Sequence, residues 1–153
     1  MLIHTINFGD MEIPQDKVIT FKEGLPGFSQ NHRFAVLKLD ELEPFQYLHA
    51  LDGLPIALYI INPFLVEPGY EFRLTESDME DVGSSNATEL TVYSVATIPE
   101  DPNNATVNLI APIVINEKAL CGKQVILHES KYSVKHPLLS GVGQEDVKVQ
   151  EAM

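Results

Sequence analysis

The sequence predicts a single, mainly β domain of antiparallel strands with one or two short helices. Three observations predict it. Short segments rich in β-branched and aromatic residues recur between glycine and proline punctuation, which is the rhythm of antiparallel strands joined by tight turns. The chain has 153 residues, 44% of them hydrophobic and 21% charged, which is enough for one ordinary domain with its own core. Only one stretch carries a helix start and a helix stop together.

The strands are expected at 2–8, 17–21, 33–39, 45–50, 56–61, 90–98, 106–115 and 123–129. In 33–39 both alternating sets, Phe34-Val36-Lys38 and Ala35-Leu37-Leu39, are largely apolar, so both faces of that strand should be covered. Ile56 to Ile61 and Val107 to Ile115 are near-continuous apolar runs and read the same way. Pro112 interrupts the second run and marks a bulge or an edge, because proline cannot donate to a ladder. Turns are expected at Gly24-Leu25-Pro26-Gly27, between Asn62-Pro63 and Pro68-Gly69, and at the acidic loop from Pro99 to Asn104.

The one signalled helix follows Thr75. Asp78 stands three residues on and completes a capping box, while Leu74 and Met79 occupy the two places of a hydrophobic staple. Gly83 supplies the stop. The expected helix has about two turns, with Met79 and Val82 facing inward and Glu76, Asp78, Glu80 and Asp81 projecting into water. Residues 1–139 are expected to form the domain. The tail 140–153 has no apolar periodicity and is expected to be disordered.

Charge is distributed unevenly. Residues 40 to 101 hold thirteen acids, from Asp40 to Asp101, against one base, Arg73; this accounts for the whole formal net charge of −12, and the remaining nine acids and nine bases cancel. A field of this sign disfavours direct binding of nucleic acid. The N-terminus lacks the basic head and apolar run of an export signal, and no apolar run approaches the roughly 18 residues of a membrane span. A cytoplasmic protein without membrane contact is therefore expected. The single cysteine, Cys121, fits a reducing compartment and leaves no internal disulfide framework.

No catalytic constellation is legible. The five histidines have no zinc-peptidase spacing, and there is no nucleophile elbow, phosphate-cradling loop or dinucleotide fingerprint. No cofactor or metal is expected. The rival reading is a small β-barrel enzyme or metabolite-binding protein that uses His128, His136 or Cys121. Cys121 reads more simply as a packed small residue, and the two histidines as surface imidazoles.

Five stretches, taken in order, resemble one family closely. They are Thr20-Phe21-Lys22-Glu23-Gly24-Leu25-Pro26-Gly27-Phe28; Asn62-Pro63-Phe64 with Tyr70-Glu71-Phe72; and Ile98-Pro99-Glu100-Asp101-Pro102. Then come the run from Thr106 through Ala111-Pro112-Ile113 to Asn116, and Gly122-Lys123-Gln124-Val125-Ile126-Leu127 with the segment from Ser130 to Leu138 behind it. Together they resemble the bacterial flagellar assembly factor FliW family over residues 2 to 139. Ala119-Leu120 and Lys135 depart from the family's more usual basic residue and arginine.

The resemblance implies a β-barrel-like domain that binds proteins and catalyses nothing. It implies two partners inside the cell, flagellin and the RNA-binding translational repressor CsrA, which is antagonised allosterically. Electrostatic repulsion of messenger RNA by an acidic face at Glu76, Asp78, Glu80 and Asp81 would serve that antagonism; the alternative is that the acidity only confers solubility. Candidate protein-binding residues are Phe64, Leu65, Val66 and Tyr70 in the Asn-Pro-Phe reversal, Pro99, Glu100 and Asp101 in the acidic loop, and Tyr132 and His136. Phe64 reads equally as a core plug under its turn. Tyr132 and His136 either fix the C-terminal segment to the barrel or line a flagellin groove.

Overall fold

The structure, a computed structural model, describes residues 1–128 and 130–138. The last residue of the expected strand 123–129 and the expected tail 140–153 lie outside the described residues. Among the described residues eleven strands form: β1 Leu2–His4, β2 Asp10–Glu12, β3 Ile19–Phe21, β4 Arg33–Leu37, β5 Gln46–Ala50, β6 Ala57–Ile61, β7 Thr91–Thr97, β8 Thr106–Val107, β9 Ile113–Asn116, β10 Cys121–Gln124 and β11 His136–Pro137. One α-helix, α1 Glu76–Asp81, and five single 3-10 turns complete the described secondary structure.

Strands β7, β6, β5, β4, β3, β10 and β9 are neighbours in that order, and β9 pairs back onto β7. The result is a closed seven-stranded barrel. Every pairing in it is antiparallel except β3 with β10, which is parallel. Alternate residues fill the interior, because a strand's side chains point to opposite faces: Ile19 and Phe21, Phe34, Leu48, Ile60, Tyr93, Ile113 and Ile115 form one buried cluster. Phe21 and Phe34 meet edge-on at 5.1 Å. Gly122 of β10 lets the Phe21 ring in, since a Cβ there would stand 2.6 Å from Cζ of that ring.

The outer faces are covered too, as the doubly apolar strands predict. Ala35, Leu37 and Tyr47 on the outside of β4 and β5 pack with Ile3 and Ile13 of the N-terminal hairpin β1–β2. Val114 outside β9 packs with Val82, Val125, Phe72 and Leu74. These wraps explain near-continuous apolar runs in strands of an antiparallel barrel.

Two expected strands differ, one shortened and one divided. The stretch 2–8 shortens to β1, and Asp10–Glu12 adds a partner strand, because Gly9 at φ +71° turns the chain. The stretch 106–115 splits into β8 and β9. Between them the Asn108 side chain accepts the amides of Ile110 and Ala111, both at 3.1 Å, and diverts the chain around Pro112. Strand β7 uses this break: its start closes the barrel against β9, and its end pairs with β8, to which β11 is added. In the Gly-Leu-Pro-Gly turn, Gly24 takes φ +71°, and a Cβ there would lie 2.6 Å from the Phe28 carbonyl.

Candidate partner-binding face

The Asn-Pro-Phe reversal is built locally. Asn62 accepts the Phe64 amide at 2.9 Å and opens a 3-10 turn, Pro63–Leu65. That turn buries Pro63 and lifts Phe64 and Leu65 outward, at 43% and 55% exposed. Val66 and Tyr70, expected beside them as surface anchors, are instead buried at 2% and 3%. They belong to the cluster with Ile61, Ala96, Val107 and Leu109. The Tyr70 hydroxyl donates to the Leu109 carbonyl at 2.7 Å, so the residue is held in the core by its polar end as well as its ring. Burial, with Tyr132 next to it, pushes that hydroxyl's pKa well above the usual tyrosine value.

The plug under the turn is therefore Pro63 and Val66, and Phe64 is the exposed end of an aromatic row. Its ring lies 5.8 Å from Tyr70, which contacts Phe72 at 5.4 Å and Tyr132 at 4.7 Å. Phe64→Ala should leave the melting temperature within about 3 °C of the parent, as a substitution outside the core does. A larger fall in a thermal scan would return Phe64 to the core.

Tyr132 and His136 act as struts. The Tyr132 hydroxyl accepts the Glu71 amide at 3.0 Å, and His136 pairs with Val107 in the β11–β8 ladder. Leu109 donates to the Ser133 carbonyl and Leu138 to the Ala105 carbonyl, so the C-terminal segment is tied along its length. Pro99, Glu100 and Asp101 are all exposed in the loop from β7 to β8. Asp101 also caps the turn Pro102–Asn104 through the Asn103 amide.

The helix forms as its caps predict. Thr75 accepts the Asp78 amide, and the Asp78 carboxylate accepts the Thr75 amide, both at 3.0 Å. Asp78 does not project into water as expected: it is 8% exposed. Its other oxygen accepts from Lys123 of β10 at 2.9 Å, and Asp81 accepts from the same ammonium at 2.6 Å. Burial pushes the Asp78 pKa up, but the hydrogen bonds from Lys123 and Thr75 outweigh it and hold the carboxyl below its usual range. Burial likewise depresses Lys123, and the two carboxylates override that and raise it. A second fastening was not legible in the sequence: Asn116, at the end of β9, donates to the carbonyls of Val82 and Gly83 at 2.8 and 3.2 Å and so caps the helix C-terminus from across the fold.

Of the four helix acids, Glu76 and Glu80 are exposed, Asp81 is half-buried and Asp78 is internal. Asp52 in the same acidic stretch is engaged as well, accepting the amides of His32 and Arg33. Among the described residues, no group of three or more His, Cys, Asp and Glu side chains is placed to hold a metal ion. No helix among them is long and apolar enough to cross a membrane.

The family model described as FliW protein matches residues 2–138. The chain belongs to the FliW family. Among relatives, it is 38% identical over 138 residues to the flagellar assembly factor FliW of Bacillus subtilis (strain 168), covering 90% of this chain and 96% of that one. It is 39% identical over 140 residues to the flagellar assembly factor FliW of Thermoanaerobacter pseudethanolicus, covering 91% and 93%. A crystal structure of the flagellar assembly factor FliW superposes with a TM-score of 0.84 at 33% identity, over 90% of this chain and 96% of that one. The FliW barrel is thus the frame on which the exposed Phe64-Leu65 turn and the Glu76-Glu80 helix face are displayed.

Proposed function

We propose that this chain is a cytoplasmic, protein-binding flagellar assembly factor that binds flagellin and the translational repressor CsrA and catalyses no reaction. The observation that carries the reading is the pairing of a rigid barrel with an exposed aromatic turn. Phe64 and Leu65 stand out of a reversal whose base is locked by Asn62, Pro63 and Val66. Pre-ordered apolar residues of this kind are the usual anchors of protein interfaces, because little ordering entropy is lost on docking.

Antagonism of CsrA follows from electrostatics in this proposal. Held beside the path of a messenger's phosphates, Glu76 and Glu80 repel it. Two like charges about 8 Å apart in water interact by roughly 0.5 kcal/mol before screening, and the Debye length in the cell is about 8 Å. Two acids that close weaken RNA binding by about 1 kcal/mol before screening, and distant ones add little. The face is weaker than its four acids suggest, because Lys123 pairs with Asp78 and Asp81 and cancels one of their two charges.

The test is a pull-down with purified flagellin and with purified CsrA, followed by RNA gel shifts on the CsrA complex. Both proteins should be retained. A Glu76→Lys, Glu80→Lys double variant should still hold CsrA but displace RNA several-fold less well; unchanged displacement would leave the acids a role in solubility alone. Retention of neither protein refutes the reading.

A further inference from the structure

The barrel closes where Val92 of β7 pairs with Val114 of β9, and a groove of about 490 Å3 lies over that seam. Both valines line it, together with Phe64, Phe72, Leu74, Met79 and Leu90. Residues 71–74 run along it, and the stretch 71–75 lies outside any ladder. Phe72 and Leu74 pack against the barrel, and Glu71, Arg73 and Thr75 are exposed, which is the alternation of a strand.

This strand-like segment is pinned at both ends and open in the middle. The Glu71 amide is held by Tyr132 and the Thr75 amide by Asp78. Between them, neither the amide nor the carbonyl of Phe72, Arg73 or Leu74 forms a hydrogen bond to another described residue. A row of unpaired backbone groups beside an apolar surface is a template for an added strand. The charged residues that line the groove, Glu71 and Arg73, balance, and its surroundings add negative charge: Glu76 is exposed one helical turn before Met79, and Glu89 is exposed next to Leu90.

We propose that this groove receives an extended segment of a protein partner, which pairs its backbone with Phe72–Leu74. Apolar side chains at alternate positions of that segment face Phe64, Met79 and Leu90, and its lysines or arginines meet Glu71, Glu76 and Glu89. This inference rests on the protein-binding reading above and assigns the surface and the recognition mode. An extended segment fits better than a helix, whose backbone is already satisfied and would leave the open row unanswered. A second copy of this chain fits poorly, since it would bring the same acids against each other.

Amide hydrogen exchange, followed by NMR on the full 15N-labelled chain, tests the inference. The chain is measured alone, with purified flagellin and with purified CsrA. In an extended strand successive amides point to opposite sides. Pairing on the groove side therefore slows either Arg73 alone, or Phe72 and Leu74 together, by at least about tenfold. Ala87→Trp, which fills the groove from an exposed position lining it, should weaken the same partner by about tenfold or more, as the loss of a central contact does. Both results with one partner support the proposal.

Binding with exchange at 72–74 unchanged places the partner elsewhere and overturns the inference while the functional reading stands. Equal slowing of all three amides indicates a covering helix and also overturns it. Slowing in the free chain that grows with its own concentration identifies a second copy instead. If neither protein binds, both the functional reading and this inference fall. The exchange measurement uses the unsubstituted chain and does not depend on the tryptophan variant folding.

Discussion

Asn31→Leu should destabilise the fold by about 3 kcal/mol, one of the two largest effects expected of any single change described. Asn31 is fully buried, and its side chain answers three backbone groups of the turn between β5 and β6. It donates to the carbonyls of Asp52 and Leu54, both at 2.7 Å, and accepts the Leu54 amide at 3.2 Å. The turn passes so close that a Cβ on Gly53, at φ +66°, would lie 2.8 Å from the Asn31 Cγ. Leucine keeps the branch at Cγ, but its methyls cannot approach the carbonyls as closely as the amide does, so crowding adds to the lost hydrogen bonds. Each backbone group left without a partner costs about 1–3 kcal/mol when buried. Leu54 is exposed, so water answers part of the deficit and the total falls near the lower end. Urea unfolding measures it, and a loss under about 1 kcal/mol would mean that water replaces Asn31 entirely.

Lys123→Met should cost about 2–3 kcal/mol, by leaving Asp78 buried without its cation. The side chains of Lys123 and Asp78 are 24% and 12% exposed, so screening by water removes only part of the effect. The same pair sets a pH window. Asp78 titrates lower in the folded chain than its ordinary value of 3.8. Its contribution is present above that value and is lost as pH falls through the lower, folded one. Lys123 titrates higher in the folded chain than 10.5. Its contribution is present below that value and is lost as pH rises through the higher, folded one. The strap is therefore complete between about pH 4 and pH 10. The variant should flatten the acid limb of a stability–pH profile; a profile parallel to the parent's would place the acid sensitivity elsewhere.

The local chemistry of the fold was legible in the sequence, and the long-range chemistry was not. Thr75 and Asp78 signal their capping box because both partners lie within one turn. The strand 33–39 announces two covered faces because the alternating sets are both apolar. Asp78 pointing inward was not readable, since its cation stands 45 residues away in the chain and no spacing rule connects them. The same holds for Asn116, which reaches back 34 residues to cap the helix. Strands β2 and β11 are too short to show a period. In the candidate site, Phe64 and Leu65 fell where loop aromatics suggested. Val66 and Tyr70 did not, because a tyrosine in a reversal gives no sign of a carbonyl waiting 39 residues on at Leu109.

The parallel contact between β3 and β10 has a consequence for how the molecule comes into being. It joins residues near position 20 to residues near position 121, and β9, which pairs with β7, comes just before β10 in the chain. A ribosome must release the chain through β10 before the cylinder has a continuous wall. Until then the growing chain is an open sheet with two unguarded margins, and contacts this distant in sequence are slow to form. The recess over the seam needs β9 in place against β7. Any surface that depends on the continuous wall is acquired in one step, when β10 docks on β3.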